Sequence, residues 1–254
     1  MNITDKNGLL YSLNPSSARG IVNGQRYPVP DATIAPFNSI VQIPVNNGSV
    51  AAATGTVIGR NTILTSAHVA DDMSIGEMVT PGMNETSPYG AFRVVSLQIP
   101  DEWATTKANT YDYALVIVAP NEEGKHIGDV VPQLSIKKIT IDDLQVGSSV
   151  LVIGYPGDKG SQQMWASPGV LLREDGNYYC LNSLLGWEPR LLAFDCDAEH
   201  GNSGGPVLTD NNEIIGVVDL MSSNVAAFCN GESGGNGAPM MDEIAVNWIQ
   251  SRIQ

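Results

Sequence analysis

The chain is poor in charge, and most of the charge it has is of one sign. Only 16% of its 254 residues are Asp, Glu, Lys or Arg, with 13 basic against 27 acidic side chains and a formal net charge of −14. The basic residues form no run or stripe and the acidic excess repels phosphate backbones, so nucleic-acid binding is not expected. No apolar run approaches the roughly 18 residues that cross a bilayer. Met1 is followed by Asn2, Thr4, Asp5 and Lys6 without an apolar signal-peptide core, and no membrane association is expected. Three cysteines, Cys180, Cys196 and Cys229, permit one internal disulfide at most. Internal repeats and low-complexity segments are missing. The acidity itself has two readings, a soluble monomeric surface or attraction of cationic substrates.

What is present points to β structure. With 26 Gly and 15 Pro beside so little charge, coiled coils and long helices are disfavoured. Residues 1–34 are polar and broken by Pro15, Pro28 and Pro30, and read as a late-ordering or removable leader. Short β-type runs follow at Ser39–Ile43, Ser49–Ile58, Asn61–Leu64, Phe92–Ile99 and Ala114–Ala119. After Pro132 a second set runs over Ser149–Ile153, Gln163–Arg173, Asn177–Leu185, Arg190–Asp197, Pro206–Leu208 and Glu213–Leu220. Two such sets suggest two barrels or sandwiches. Only Asp242–Ile253 reads as a helix, with Asp242 as N-cap and Ile244, Ala245, Trp248, Ile249 and Ile253 on one face.

Three strings carry the chemistry: Thr65-Ser66-Ala67-His68-Val69, Tyr111-Asp112-Tyr113-Ala114-Leu115, and His200-Gly201-Asn202-Ser203-Gly204-Gly205-Pro206. Acyl transfer at neutral pH needs a hydroxyl activated by a base, a base held in one tautomer by a buried carboxylate, and donors aimed at the developing oxyanion. Ser203, His68 and Asp112 supply the first three. The amides of Gly201 and Ser203 supply the donors, on a loop whose small residues allow a tight bend. Gly157-Asp158-Lys159-Gly160 lacks the spacing of a phosphate loop, and Met164 and Trp165 read as core or cleft wall.

The His, Asp, Ser order with Gly201-Asn202-Ser203-Gly204-Gly205-Pro206-Val207 resembles the chymotrypsin-fold serine proteases, specifically the staphylococcal V8 protease or glutamyl endopeptidase family. The resemblance extends through Asn121–Val131, Val152–Lys159, Met164-Trp165 and Gly237–Ile249, covering roughly residues 20 to 250. It implies an all-β fold of two six-stranded antiparallel barrels with a C-terminal helix and an active site between them. The expected division is a pro-segment at 1–19, a first barrel at 20–130, and a second barrel with the helix at 131–254. It also implies a secreted enzyme acting on protein or peptide substrates, monomeric, without metal or organic cofactor, and with its signal peptide outside this sequence.

Specificity is where the chain departs from that family. The family's Ile-Gly-Ile-His segment is here Ile215-Gly216-Val217-Val218, followed by Asp219, so Val218 stands where a cationic partner for a Glu substrate is expected. Asp197, six residues before Ser203, falls at the base of the trypsin-like pocket. The expectation is therefore cleavage after Arg or Lys, with Asp197, Ala198, His200, Val218 and Asp219 as substrate-binding residues. The alternatives are a Glu-specific enzyme using His200 or the N-terminal amine, and a non-catalytic binding or toxin member of the fold. Asn202 replaces the acidic residue that anchors a new N-terminus in trypsin, and the bond Arg19-Gly20 is the expected processing site. Cys180 and Cys196 face each other across a predicted hairpin; Cys196 with Cys229, or three reduced thiols, are the other options.

Overall fold

The computed structural model describes residues 2–4, 10–12, 20–45, 52–172, 190–219 and 235–253. An antiparallel hairpin, β1 (Asn2–Thr4) and β2 (Leu10–Ser12), precedes a two-residue strand, β3 (Tyr27–Pro28). Six strands then form the first half of the molecule: β4 (Ile40–Pro44), β5 (Ala52–Val57), β6 (Thr62–Thr65), β7 (Met78–Pro81), β8 (Phe92–Gln98) and β9 (Ala114–Val118). They close into an antiparallel barrel in the order β4-β5-β6-β9-β8-β7.

The central strands are apolar on both faces, and the two-residue side-chain period explains why. Ile63, Val116 and Val118 point into the barrel with Val41, Ile43 and Phe92. Their neighbours Leu64, Leu115 and Ile117 point outward into a second cluster, shared with Ile153, Tyr155 and Val217 from the other half. The barrel thus has no solvated face on the side where the halves meet.

The second half contains β10 (Ser149–Gly154), β11 (Trp165–Val170), β12 (Leu191–Phe194), β13 (Pro206–Leu208), β14 (Ile214–Val217) and β15 (Asn236–Pro239). The same alternation applies: Val150, Val152, Val207 and Ile215 enter its own core, while Ile153, Leu208 and Ile214 join the shared cluster. The expected second six-stranded closed barrel is not found among the described residues. Instead there is a five-stranded sheet, β14-β13-β10-β11-β3, and a two-stranded sheet, β12-β15. Single bridges, Leu171↔Phe194 and Gly216↔Met240, join them. Tyr27–Pro28 pairs with the start of β11 at Trp165 and Ala166, whereas β12 meets the chain just past the end of β11, where the Leu172 amide donates to the Ala193 carbonyl at 2.9 Å.

The C-terminal helix is shorter than expected, Glu243–Gln250, and Asp242 caps it by accepting from the Ala245 amide at 2.9 Å. Ala245, Val246 and Ile249 bury its inner face, and Trp248 meets Tyr113 edge-on with ring centroids 5.5 Å apart. Three short helices escaped the sequence pattern: α1 (Ala67–Asp71), α2 (Asp101–Thr106) and α3 (Ile127–Val130), the C-terminal helix being α4. The predicted strand 177–185, Arg19, Cys180, Cys229 and most of the Ser222–Asn236 loop lie outside the described residues. Cys196 is a free, buried thiol.

Candidate active site

Strand register brings His68 and Asp112 together. Thr65, the last residue of β6, pairs with Ala114, the first of β9. The chain after Thr65 turns into α1, and the chain before Ala114 arrives from a short 3-10 turn, Asn109–Tyr111. His68 and Asp112 therefore leave the same end of adjacent strands. Asp112 is fully buried and grips His68 twice: Oδ1 accepts the His68 amide at 2.8 Å and Oδ2 lies 2.6 Å from the ring Nδ1. That bidentate contact fixes both the backbone and the ring, and it places the Nδ1 proton toward the carboxylate, leaving Nε2 unprotonated in the neutral ring. The Tyr113 ring that follows Asp112 is locked by α4 through Trp248.

Burial pushes the His68 pKa down, but the Asp112 charge and hydrogen bond, reinforced by Asp72 and Asp71, outweigh it and leave His68 raised. Burial likewise disfavours the Asp112 anion, yet the His68 charge and hydrogen bonds together with an Asp219 contact leave Asp112 below the ordinary carboxylate range.

Ser203 comes from the second half, on the loop between β12 and β13, and that loop is held from both sides. From the first barrel, the Thr54 amide donates to the Ser203 carbonyl at 2.9 Å and the Thr54 hydroxyl donates to the Gly201 carbonyl at 2.7 Å. The Tyr155 amide donates in turn to Thr54 Oγ1 at 3.2 Å. From the second half, the Gly204 amide donates to the Val218 carbonyl at 2.9 Å and the Val218 amide donates to the Gly205 carbonyl at 2.8 Å. Thr54 is a site residue that sequence reasoning missed, because a threonine inside a β run carries no signal beyond strand propensity.

Two glycines are dictated by this packing. Gly201 has φ +100°, and a Cβ there would lie 2.2 Å from the Tyr155 carbonyl oxygen; Gly204 has φ +82°, and its Cβ would lie 2.1 Å from the Thr54 carbonyl oxygen. Neither the Gly201 nor the Ser203 amide donates to another described backbone group. The arrangement can present a hydroxyl, a pre-oriented imidazole and two free amide donors, which is what acyl transfer through a tetrahedral intermediate requires.

The substrate-binding residues divide. Ala198 and Val218 are buried at the base of this loop, and His200 is exposed beside it. Asp197 does not present a carboxylate to a pocket. It is 2% exposed, and Oδ1 accepts the amides of Val22 at 2.7 Å, Asn23 at 3.1 Å and Gly24 at 3.0 Å, while Oδ2 accepts Arg26 at 3.4 Å. An arriving segment has used the acceptors that a substrate Arg or Lys would need. Asp219 stands against Asp112, with Oδ1 3.7 Å from His68 Nδ1. Gly20, the expected new N-terminus, pairs with Ala198, whose amide donates to the Gly20 carbonyl at 2.9 Å. The Asn236 amide donates to the same carbonyl at 2.8 Å.

Residues 53–217 match the model of the trypsin-like peptidase domain. The chain belongs to the trypsin-like peptidase family. Glutamyl endopeptidases of Staphylococcus aureus are similar to this trypsin-like chain at 28% identity over 84% of it and at 30% identity over 77% of it. The chain spans about half the length of these relatives, 56% and 55%. A solved Glu endopeptidase superimposes with a TM-score of 0.70 at 30% identity, covering 89% of this chain and 95% of that one. The VesB protease of Vibrio cholerae shares the fold, with a TM-score of 0.66 at 14% identity over 89% of this chain and 66% of its own.

Proposed function

We propose that the chain is a secreted, monomeric serine endopeptidase that cleaves protein or peptide substrates after Glu through an acyl-enzyme. Ser203 attacks the scissile carbonyl while His68 takes its proton and returns it to the leaving amine. Asp112 holds the imidazole and stabilises its cation, and the amides of Gly201 and Ser203 bind the oxyanion. The observation that carries the specificity is the 30% identity to the solved Glu endopeptidase along nearly the whole of both chains. The competing preference for Arg or Lys loses its physical basis once the Asp197 carboxylate is committed to the 22–26 amides.

Val218 is apolar and buried, so the charge that meets a substrate carboxylate comes from elsewhere. His200 at the loop rim is one source. The other is the ammonium freed if residues 1–19 are a pro-segment removed at Arg19-Gly20, because Gly20 is tied to Ala198 beside the nucleophile loop. A matched peptide panel with Glu, Asp, Arg, Lys and an aromatic residue at the cleaved position, run before and after limited cleavage at Arg19, tests this reading. It is paired with a serine-directed fluorophosphonate. Expected are stoichiometric labelling of Ser203 and fastest turnover at Glu. Preference for Arg or Lys overturns the specificity, and failure to label the processed chain supports a non-catalytic binding member of the fold.

A further inference from the structure

His68 and Asp112 share their cluster with a second acid, Asp219, that the proposed mechanism leaves without a role. Asp219 lies two residues past the end of β14. One ring nitrogen of His68 and one oxygen each of Asp112 and Asp219 lie within 4.8 Å of one another. The Asp219 side chain is 9% exposed, and no lysine or arginine pairs with Asp219, Asp112 or His68 among the described residues. Its Oδ2 is buried and meets no donor among the described residues. Two carboxylates this close, with one buried oxygen unsatisfied, cannot both ionise without a large electrostatic cost.

We infer that Asp219 is a positioning residue, a neutral acid that donates its carboxyl proton in a hydrogen bond to Asp112 and so completes the carboxylate that orients His68. The inference rests on the proposed roles of His68 and Asp112. Burial, then the Asp112 charge, then the hydrogen bond to Asp112 hold the Asp219 carboxyl well above the ordinary range, in keeping with this role. The Asp112 oxygens then accept from the His68 amide, the His68 ring and the Asp219 hydroxyl. No proton leaves this set during the reaction, since the one transferred moves between Ser203, His68 and the leaving group.

Among the described residues, the other groups around this cluster do not supply the donor. Asp71 and Asp72 act on His68 and only add negative charge. On the nucleophile loop, Glu199 interacts with Asp158, His200 and Arg26. β15, whose Gly237 carbonyl accepts the Asp219 amide at 3.1 Å, contributes only Asn236, Gly237, Ala238 and Pro239. The segment that carries Asp219 also carries Val218, which is bonded both ways to the nucleophile loop. Asp219 therefore ties the second half to the acid of the first.

The test compares the wild type with Asp219→Asn, whose amide can still donate to Asp112, and Asp219→Ala, which cannot. The His68 imidazole titration is read by NMR, with the His68 resonance assigned by its loss in His68→Ala, alongside the pH profile of kcat/KM on a Glu peptide. Asp219→Asn is expected to leave the His68 pKa within about 0.3 unit and kcat/KM within about 3-fold. Asp219→Ala is expected to raise the His68 pKa and to lower kcat by ~10-fold or more with KM little changed, as loss of a donor to a charged group implies. A fall of about one unit in the His68 pKa of Asp219→Asn means that an anion has been removed, and it overturns the inference. So does an Asp219→Ala chain that titrates like the wild type. The NMR readout stands without turnover, so a wild type that cleaves nothing refutes the peptidase reading and leaves the test of Asp219 intact.

Discussion

Removing the Asp197 carboxylate tests the claim that it anchors the N-terminal segment. Four backbone amides converge on it from residues 171 to 175 positions away in sequence, three of them at 3.1 Å or less. Asp197→Ala strands all four. A hydrogen bond to a charged group contributes roughly 1.5–3 kcal/mol. Three short bonds, discounted for hydration of a loop that is partly exposed, give a loss on the order of 4 kcal/mol. At about 2–4 °C per kcal/mol for a chain of this size, Tm should drop by ~8–16 °C. Asp197→Asn keeps one acceptor for the Oδ1 cluster and should lose about half as much. Thermal melts at pH 7 read the stability, and amide hydrogen exchange at residues 22–26 reads the anchor itself. A Tm within about 2 °C of wild type with unchanged exchange at those amides would refute the reasoning.

Three further predictions concern the site. Gly201→Ala places a methyl group 2.2 Å from the Tyr155 carbonyl oxygen at a φ of +100°. It should lower kcat by about 10²-fold or more through the displaced oxyanion donors, and steady-state kinetics on a folded sample checks it. His68 must be neutral to act as base and its pKa is raised, so kcat/KM should fall as pH drops through a value above 6.5. Asp112→Asn should move that limb down and cost ~10⁴-fold in kcat. Asp219 binds its proton more tightly folded than unfolded, so the stability this one group contributes falls as pH rises above about 4, the unfolded Asp value. Asp219→Asn removes that cost and should raise Tm at pH 8 while leaving it nearly unchanged at pH 4.

Much of this was legible because it is local or ordered along the chain. His68, Asp112 and Ser203 each sit in a short string, and β-branched runs marked most of the barrel strands. β7 was missed because Met78–Pro81 is short, ends in proline and leaves Met78 exposed. α1 and α2 are five and six residues, too short to show a helical period. The role of Asp197 was misread for a different reason. Its position relative to Ser203 is a local fact, but its partners come from the far end of the chain, and no pattern within 190–205 announces them. Thr54 carried no signal for the same reason, and Asp219 was picked out for the substrate pocket and not for its contact with Asp112: each matters through a contact across the interface between the two halves.

The most direct test of the central claim is mass-spectrometric mapping of cleavage sites in a denatured protein mixture, comparing the chain processed at Arg19 with its Ser203→Ala variant. Cuts concentrated after Glu that vanish in Ser203→Ala are the predicted result. Cuts after Arg or Lys, or a pattern that survives Ser203→Ala, would contradict it.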